Sequence, residues 1–409
     1  MFRIIDIARE ISSGITPLRS NSEYWDNGTI PWLKTEQIGE YRIKTTNEFV
    51  TEKALESTGL KLYPKNTISI AMYGEGKTRG NVSIIDCPMT TNQACCNIVV
   101  NESIVAPFYL YYFFKTQYHN LRQLSSGVRK NLNSNDIKNY LINLPNKITQ
   151  QNIVNFLCSI DEKIELNNKI NLELEKVAKT LYEYWFVQFD FPDENERPYK
   201  SSGGAMVYNE VLKREIPVGW RVKELQNIAS ISNEQITPNE CVAYRHYSIP
   251  AFDEKGTYII ESGEDIHSNK FIIKSFDVLI SKLNPRFSRV ICADNEEDMV
   301  SSTELIVFRC NDEQNQSLVY CIAKSDNFYS YCVKNATGSS GSHNRINHEI
   351  MGAYKIPYNH STYELFKSRI SDIIQKRNHI IKENQKLISI KDFLLPMLMN
   401  GQISIATTE

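Results

Sequence analysis

The 409 residues contain no C-x-x-C pair, no H-E-x-x-H and no Cys/His cluster with ligand spacing, which argues against a metal site. The nine cysteines are odd in number and scattered, and Cys95 and Cys96 are adjacent, a poor geometry for a structural bridge. They are expected as reduced packing residues. Long hydrophobic runs are missing too. The longest, Ala106 to Phe114, falls well short of the ~20 apolar residues that a membrane-spanning helix needs. The opening Met1-Phe2-Arg3-Ile4-Ile5-Asp6 lacks the character of a signal peptide, so a cytoplasmic protein is expected. An excess of charge of one sign is also absent: 46 Lys+Arg stand against 48 Asp+Glu, a net charge of −2. A uniformly basic nucleic-acid binder is thereby excluded, because phosphate contacts then have to come from local patches. Residues 1–147 are basic, 17 against 13, whereas 149–196 are acidic, 4 against 10, and 217–357 are acidic, 14 against 18.

What the chain does have is resemblance to itself, at an offset of roughly 212 residues. Ile15-Thr16-Pro17 recurs as Ile236-Thr237-Pro238, Ser126-Gly127 as Thr337-Gly338, and Leu144-Pro145 as Ile356-Pro357. The drift in offset means that loops differ in length while the order of elements is kept. Two similar units make a pseudo-twofold object, which suits double-stranded DNA as a partner.

After each Leu/Ile-Pro comes a helical seam. Ile153, Leu157, Ile160, Ile164, Asn167, Asn171, Leu174, Ala178, Leu181 and Trp185 follow alternating steps of four and three, and no Gly or Pro interrupts them. The second copy runs Phe366, Ile370, Ile373, Arg377, Ile380, Asn384, Leu387, Lys391 and Leu394, at a constant offset of 213 from Ile153/Phe366 to Leu181/Leu394. A helix of about 37 residues is about 55 Å long, more than a small domain needs for its own core. Two such seams are expected to bury against each other as an antiparallel coiled coil; the alternative is that each helix packs on its own domain.

The expected fold class is α+β, with two pseudo-repeated domains, each followed by a long helix. Residues 1–148 form the first mixed domain, 149–190 the first helix, 191–216 a polar linker, 217–357 the second mixed domain, 358–401 the second helix and 402–409 a tail. Both mixed domains end in a Gly/Ser/basic segment, Ser126, Gly127, Arg129 and Lys130 in one and Gly338, Ser340 and Arg345 in the other. Loops of that kind let backbone approach a phosphate while Arg or Lys reaches it.

Four short motifs extend the reading. Trp32-Leu33-Lys34-Thr35-Glu36-Gln37-Ile38-Gly39 lies near the start, and Tyr184-Trp185-Phe186-Val187-Gln188-Phe189-Asp190-Phe191-Pro192 follows the first helix. Ile216-Pro217-Val218-Gly219-Trp220 opens the second unit, and Phe393-Leu394-Leu395-Pro396-Met397-Leu398-Met399-Asn400-Gly401 ends the second helix. In this order and spacing the chain resembles, over essentially its whole length, the specificity (S) subunit of type I restriction–modification systems. The resemblance implies two target recognition domains, each reading one half of a gapped DNA site, and two helices that dock two methyltransferase (M) subunits, with restriction/motor (R) subunits joining for cleavage. It implies a prokaryotic subunit with no catalytic centre and no cofactor of its own; S-adenosylmethionine belongs to the methyltransferase subunits. In the second domain Trp32-Leu33-Lys34-Thr35 has no clean counterpart, and Tyr247-Ser248-Ile249-Pro250 stands roughly in its place.

The candidate DNA-binding residues are Lys34, Thr35, Gln37, Lys77, Arg79, Ser126, Gly127, Arg129 and Lys130 in the first half. In the second half they are Lys282, Asn284, Arg286, Arg289, Gly338, Ser340 and Arg345. Arg suits guanine O6/N7, Asn or Gln suits adenine, and Lys suits phosphate. Two segments point elsewhere. Ala71 to Thr78 satisfies a relaxed phosphate-loop pattern, which allows a nucleotide-dependent enzyme, although Val82-Ser83-Ile84-Ile85 after it reads as a strand where a helix is required. Asn284-Pro285-Arg286-Phe287 approaches the N-P-P-F/Y signature of adenine methyltransferases, but no glycine-rich turn for the methyl donor precedes it. A stand-alone DNA-binding regulator is the remaining alternative.

Overall fold

The computed structural model describes residues 1–74, 76–124, 131–338 and 344–405. The chain forms two compact units, one of Met1–Glu165 with Leu387–Glu409 and one of Leu166–Lys386. Each long helix therefore contributes one end to each unit instead of standing apart from the domains. The first runs Lys147–Tyr182 and closes in a π-turn, Glu183–Val187; the second runs His360–Met399 with Pro396 inside its last turn.

In the first unit a five-stranded sheet has the order Ala8–Ser13, Cys95–Val100, Ile68–Ala71, Val82–Ile85, Arg42–Ile43, antiparallel except for its last pair. Its central strands are buried on both faces, hence their unbroken apolar character. Ile68, Ile70, Ile84 and Ile98 pack against Leu110, Phe114 and Leu121 of the helices Pro107–Thr116 and Tyr118–Gln123. Ala71, Ile85 and Cys95 face Leu33, Ile43 and Met89 on the other side. Each such fully buried Ile or Leu contributes about 1.5–3 kcal/mol. The polar side chains between them are paired: Ser69 Oγ donates to Asn97 Oδ1 (2.9 Å) and Asn97 Nδ2 donates to Thr91 Oγ1 (2.7 Å). A smaller sheet has Ile30–Leu33 at its centre, antiparallel to Glu48–Val50 and parallel to Thr90–Thr91.

The second unit has a four-stranded antiparallel sheet in the order Ser230–Ser232, Leu305–Arg309, Val278–Ser281, Val290–Cys292. Its other sheet has Ala243–Tyr247 antiparallel to Ile259–Ser262 and parallel to Met299–Ser301. Strand for strand these pairings are those of the first unit, and the helices Glu313–Lys324 and Asp326–Asn335 follow where Pro107–Thr116 and Tyr118–Gln123 do. The second unit adds Gln235–Ile236 and Lys270–Ile272 at one sheet edge, while Arg42–Ile43 has no equivalent. Ile30–Leu33 and Ala243–Tyr247 hold the same place in this order, but the first leads into a 3-10 turn, Thr35–Gln37, and the second into a helix, Ile249–Lys255. That helix explains why the Trp32 motif has no sequence counterpart.

The helical seams are buried or half-buried at every position named from the sequence. In the first unit Ile153, Val154 and Leu157 share a core with Leu395 and Leu398. Asp161 accepts hydrogen bonds from Tyr112 Oη (2.7 Å) and Lys391 Nζ (2.5 Å). In the second unit Asn167 Nδ2 donates to Asn384 Oδ1 (2.8 Å), Asn384 Nδ2 donates to Asn168 Oδ1 (2.9 Å), and Tyr182 and Trp185 meet Phe366.

The segment 191–216 departs from the expected linker. Met206–Asn209 and Arg214–Pro217 form a hairpin, Phe191 stacks on Tyr199 at 4.8 Å, and Ser201 donates twice to the buried Asp190. Its polar composition hid five apolar anchors, Phe191, Tyr199, Met206, Leu212 and Ile216, which pack on the second unit's core. Phe186, Phe189 and Phe191 all surround Trp220, a physical reason for the aromatic motif after the first helix. The cysteines are free, and burial pushes the Cys95 and Cys96 thiols up to about 12, which keeps them protonated. Among the described residues no helix is long and apolar enough to cross a membrane, and no group of three or more His, Cys, Asp or Glu is arranged to hold a metal ion.

Candidate nucleic-acid interface

In each unit a basic loop joins the third and fourth strands of the main sheet. In the first it connects Ile68–Ala71 to Val82–Ile85, a pair held in antiparallel register with Ile70 opposite Val82. Lys77 is exposed and Arg79 half-buried. Gly74, Gly76 and Gly80 all have positive φ, which fits the tight path of the chain. The loop runs directly into a strand, so the phosphate-loop pattern at Ala71–Thr78 has no helix N-terminus behind it and the nucleotide reading loses its structural basis.

The short helix Tyr118–Gln123 lies against this loop. Tyr118 Oη donates to Lys77 O (2.9 Å), while Arg122 Nη1 donates to Gly76 O (2.8 Å), Arg79 O (3.1 Å) and Tyr118 Oη (3.0 Å). A groove results, lined by Lys77, Lys115, Tyr118, His119 and Arg122 over Phe114. Of these only Lys77 was named from the sequence. The others carry no motif in the sequence.

Lys34, Thr35 and Gln37 sit in and before the Thr35–Gln37 turn, which abuts the root of the loop: Asn81 Nδ2 donates to Ile38 O (3.4 Å) and Gly39 N donates to Ser83 Oγ (2.8 Å). The side chains of Lys34 and Gln37 are engaged within the domain. Lys34 pairs with Glu48 (2.6 Å) and Glu36 (2.9 Å), which hold its ammonium above the usual lysine range, and Gln37 Oε1 accepts from Asn47 N (3.1 Å). Arg19 also pairs with Glu48 and lies 3.8 Å over the Trp25 ring. Ser126, Gly127, Arg129, Lys130 and Ser340 lie outside the described residues.

In the second unit the loop between Val278–Ser281 and Val290–Cys292 is a 3-10 turn, Pro285–Phe287, flanked by Asn284 and Ser288 at φ 48° and 45°. It is stitched to the segment carrying Arg345: Asn284 N donates to Asn344 O (2.7 Å), Ile346 N to Lys282 O (3.0 Å), and Arg345 and Thr337 exchange two backbone bonds of 2.8 Å. Lys282, Asn284, Arg286, Arg289 and Arg345 are thus brought together, with the exposed Gly338 next to Thr337. Arg286 and Arg289 flank the exposed Phe287 ring at 4.9 and 4.5 Å. Arg289 makes a bidentate pair with Asp253 (2.6 and 2.7 Å), and Arg345 pairs with Glu304 (3.1 Å). Asn284-Pro285-Arg286-Phe287 is a hairpin tip topologically equivalent to Lys77/Arg79, which accounts for the partial methyltransferase signature.

Residues 1–176 match the type I restriction modification DNA specificity domain family. Over 98% of its length the chain is 28% identical to the type I restriction enzyme MjaIX specificity subunit of Methanocaldococcus jannaschii, covering 93% of that protein. The chain is thus similar over nearly its whole length to a type I specificity subunit, and its first 176 residues match the family's DNA specificity domain. The HindI specificity subunit of Haemophilus influenzae is 24% identical over 74% of this chain and 79% of that one. The solved type I S subunit of M. genitalium shares the fold of this chain, with a TM-score of 0.56, 17% identity and coverage of 100% and 96%. Arg289, Arg345 and Lys34 are each paired with a carboxylate of their own domain.

Proposed function

We propose that the chain is the DNA-reading, non-catalytic subunit of a type I restriction–modification complex, with target recognition domains at 1–148 and 217–357 that each read one half of a bipartite, gapped target. The observation that carries the proposal is the placement of a basic loop at the same point of the same strand order in both units, with different side chains: Lys77 and Arg79 in one, Asn284, Arg286 and Arg289 in the other. Different donors select different base edges, so the target is asymmetric. Contacts to DNA come from these loops, from Lys34, Thr35, Gln37 and Lys282, and from Ser126, Gly127, Arg129, Lys130, Gly338, Ser340 and Arg345.

The two long helices act as an antiparallel spacer and as the docking surface for two methyltransferase subunits, with restriction subunits joining the assembly. What supports the antiparallel sense is that Asn167 meets Asn384 whereas Tyr182, further along the first helix, meets Phe366, earlier on the second. Mapping methylated adenines in a genome expressing this chain with its methyltransferase tests the reading: a gapped, asymmetric motif is expected, and a continuous palindrome overturns it. Purified alone, the chain is expected to transfer no methyl group and hydrolyse no ATP.

A further inference from the structure

We propose that Arg122, with Tyr118, is a positioning clamp that sets the shape of the first domain's reading loop before DNA arrives. The inference rests on the DNA-reading assignment above. A loop with three positive-φ glycines has many conformations to lose on binding, and that entropy counts against affinity unless something fixes the loop beforehand. The structure supplies the fixing group. One nitrogen of Arg122 reaches two loop carbonyls, Gly76 O and Arg79 O, and Tyr118 Oη holds a third, Lys77 O. Arg122 also donates to Tyr118 Oη and lies 5.3 Å over the Tyr118 ring, so the two side chains brace each other. Gly80 completes the clamp: a Cβ there would stand 3.2 Å from Arg122 Cγ and 3.3 Å from Tyr118 O, at a φ of +86° that disfavours any side chain.

The second domain holds its own loop by a cation with different chemistry. Lys324 Nζ donates to Ser288 O (3.3 Å) and is itself paired with Glu175 of the first long helix (2.8 Å). Both units thus anchor loop carbonyls by a cation drawn from the helices behind the sheet. Arg122 acts through the backbone that carries Lys77 and Arg79.

The experiment uses the full chain in complex with its methyltransferase, selecting from a duplex library randomised over about 24 base pairs and then measuring Kd against salt. Three variants are compared with wild type, namely R122A, R122K and Y118F, each checked for an unchanged melting temperature. R122A is expected to reduce discrimination within the first half-site by about tenfold, to leave the second half-site intact and to keep the salt slope. R122K is expected to lose discrimination as well, because a Lys ammonium ends one bond short of Nη1 and lacks the planar face that lies over the Tyr118 ring. Y118F tests the clamp without any change of charge and carries the test if the Arg122 variants fail to fold. Discrimination equal to wild type in all folded variants overturns the clamp alone. A salt slope shallower by ~0.9 in R122A makes Arg122 a phosphate contact and also overturns it. If the wild-type complex enriches no sequence, the DNA-reading assignment falls and the clamp falls with it.

Discussion

Lys391→Met is the most direct test of how the two helices hold each other in the first unit. Asp161 is 5% exposed, and its carboxylate has two partners, Lys391 Nζ and Tyr112 Oη. Removing one partner of a buried pair costs roughly 3–5 kcal/mol, because the remaining charge stays out of water without compensation. Lys391 is 20% exposed, and the Tyr112 hydroxyl remains, so water and that hydrogen bond recover part of the loss. About 2–3 kcal/mol is expected for K391M, which keeps most of the aliphatic stem. Asp161→Asn removes the other charge, and the double variant leaves no ion unpaired, so it is expected within ~1 kcal/mol of wild type. The coupling energy of the cycle is then about 2 kcal/mol. A chain of two units need not unfold in one step, so the appropriate readout is amide exchange of residues 153–165, which reports local opening. A coupling below ~0.5 kcal/mol, the value for an ordinary surface pair, would refute the claim that this contact is desolvated.

Other perturbations follow from the same geometry. Ile160 is 7% exposed in the seam, so Ile160→Asp is expected to lower stability by more than about 3 kcal/mol, and a melting curve like that of wild type would place it outside the core. Burial acts to raise the Glu175 carboxyl, but Lys324 and Arg377 outweigh it and hold it below the ordinary 4.5. A depressed carboxylate stabilises the fold above its unfolded value and loses that contribution as pH falls through the folded value, so E175Q is expected to flatten the acid side of the second unit's stability profile below pH 4.5; an unchanged profile would refute this. Deleting one heptad from each long helix removes about 10 Å and is expected to change the tolerated gap in the DNA target while both half-site sequences persist, as a methylation map would show. Arg286→Ala is expected to relax the second half-site alone by about 1–3 kcal/mol if it meets a base edge; equal weakening of all sequences with a flatter salt slope would make it a phosphate contact.

The helices were legible because their signal is periodic and local. Ten seam positions in the first copy and nine in the second needed only steps of three and four, and each is buried or half-buried. The segment 191–216 was illegible for the opposite reason. Asp193 to Gly204 is rich in charge, Ser and Gly, and the few apolar residues on either side acquire meaning only once Trp220 gathers them. Composition averages over a window, whereas folding here depends on three phenylalanines meeting one tryptophan. The division into compact units was hidden likewise, since a seam shows that a helix is buried but not which end belongs to which core.

The loops show where the limit lies for the site. Lys77, Arg79, Asn284 and Arg286 were named from the sequence, and the strand order puts both of their turns between corresponding strands. Arg122 and Lys324 were not reached, although they do comparable work, because neither sits in the loop that it holds: Arg122 is 43 residues from Arg79 and Lys324 is 36 from Ser288. A residue that acts through another element's backbone carbonyls leaves no spacing to recognise, since any chain segment offers carbonyls. The repeat does not help, for Arg and Lys solve the same problem from different positions. On the proposed reading, diversity between half-sites has two sources, the side chains on the loop and the cation behind it, so substitution behind the loop changes how the same side chains are presented without altering the loop's own sequence.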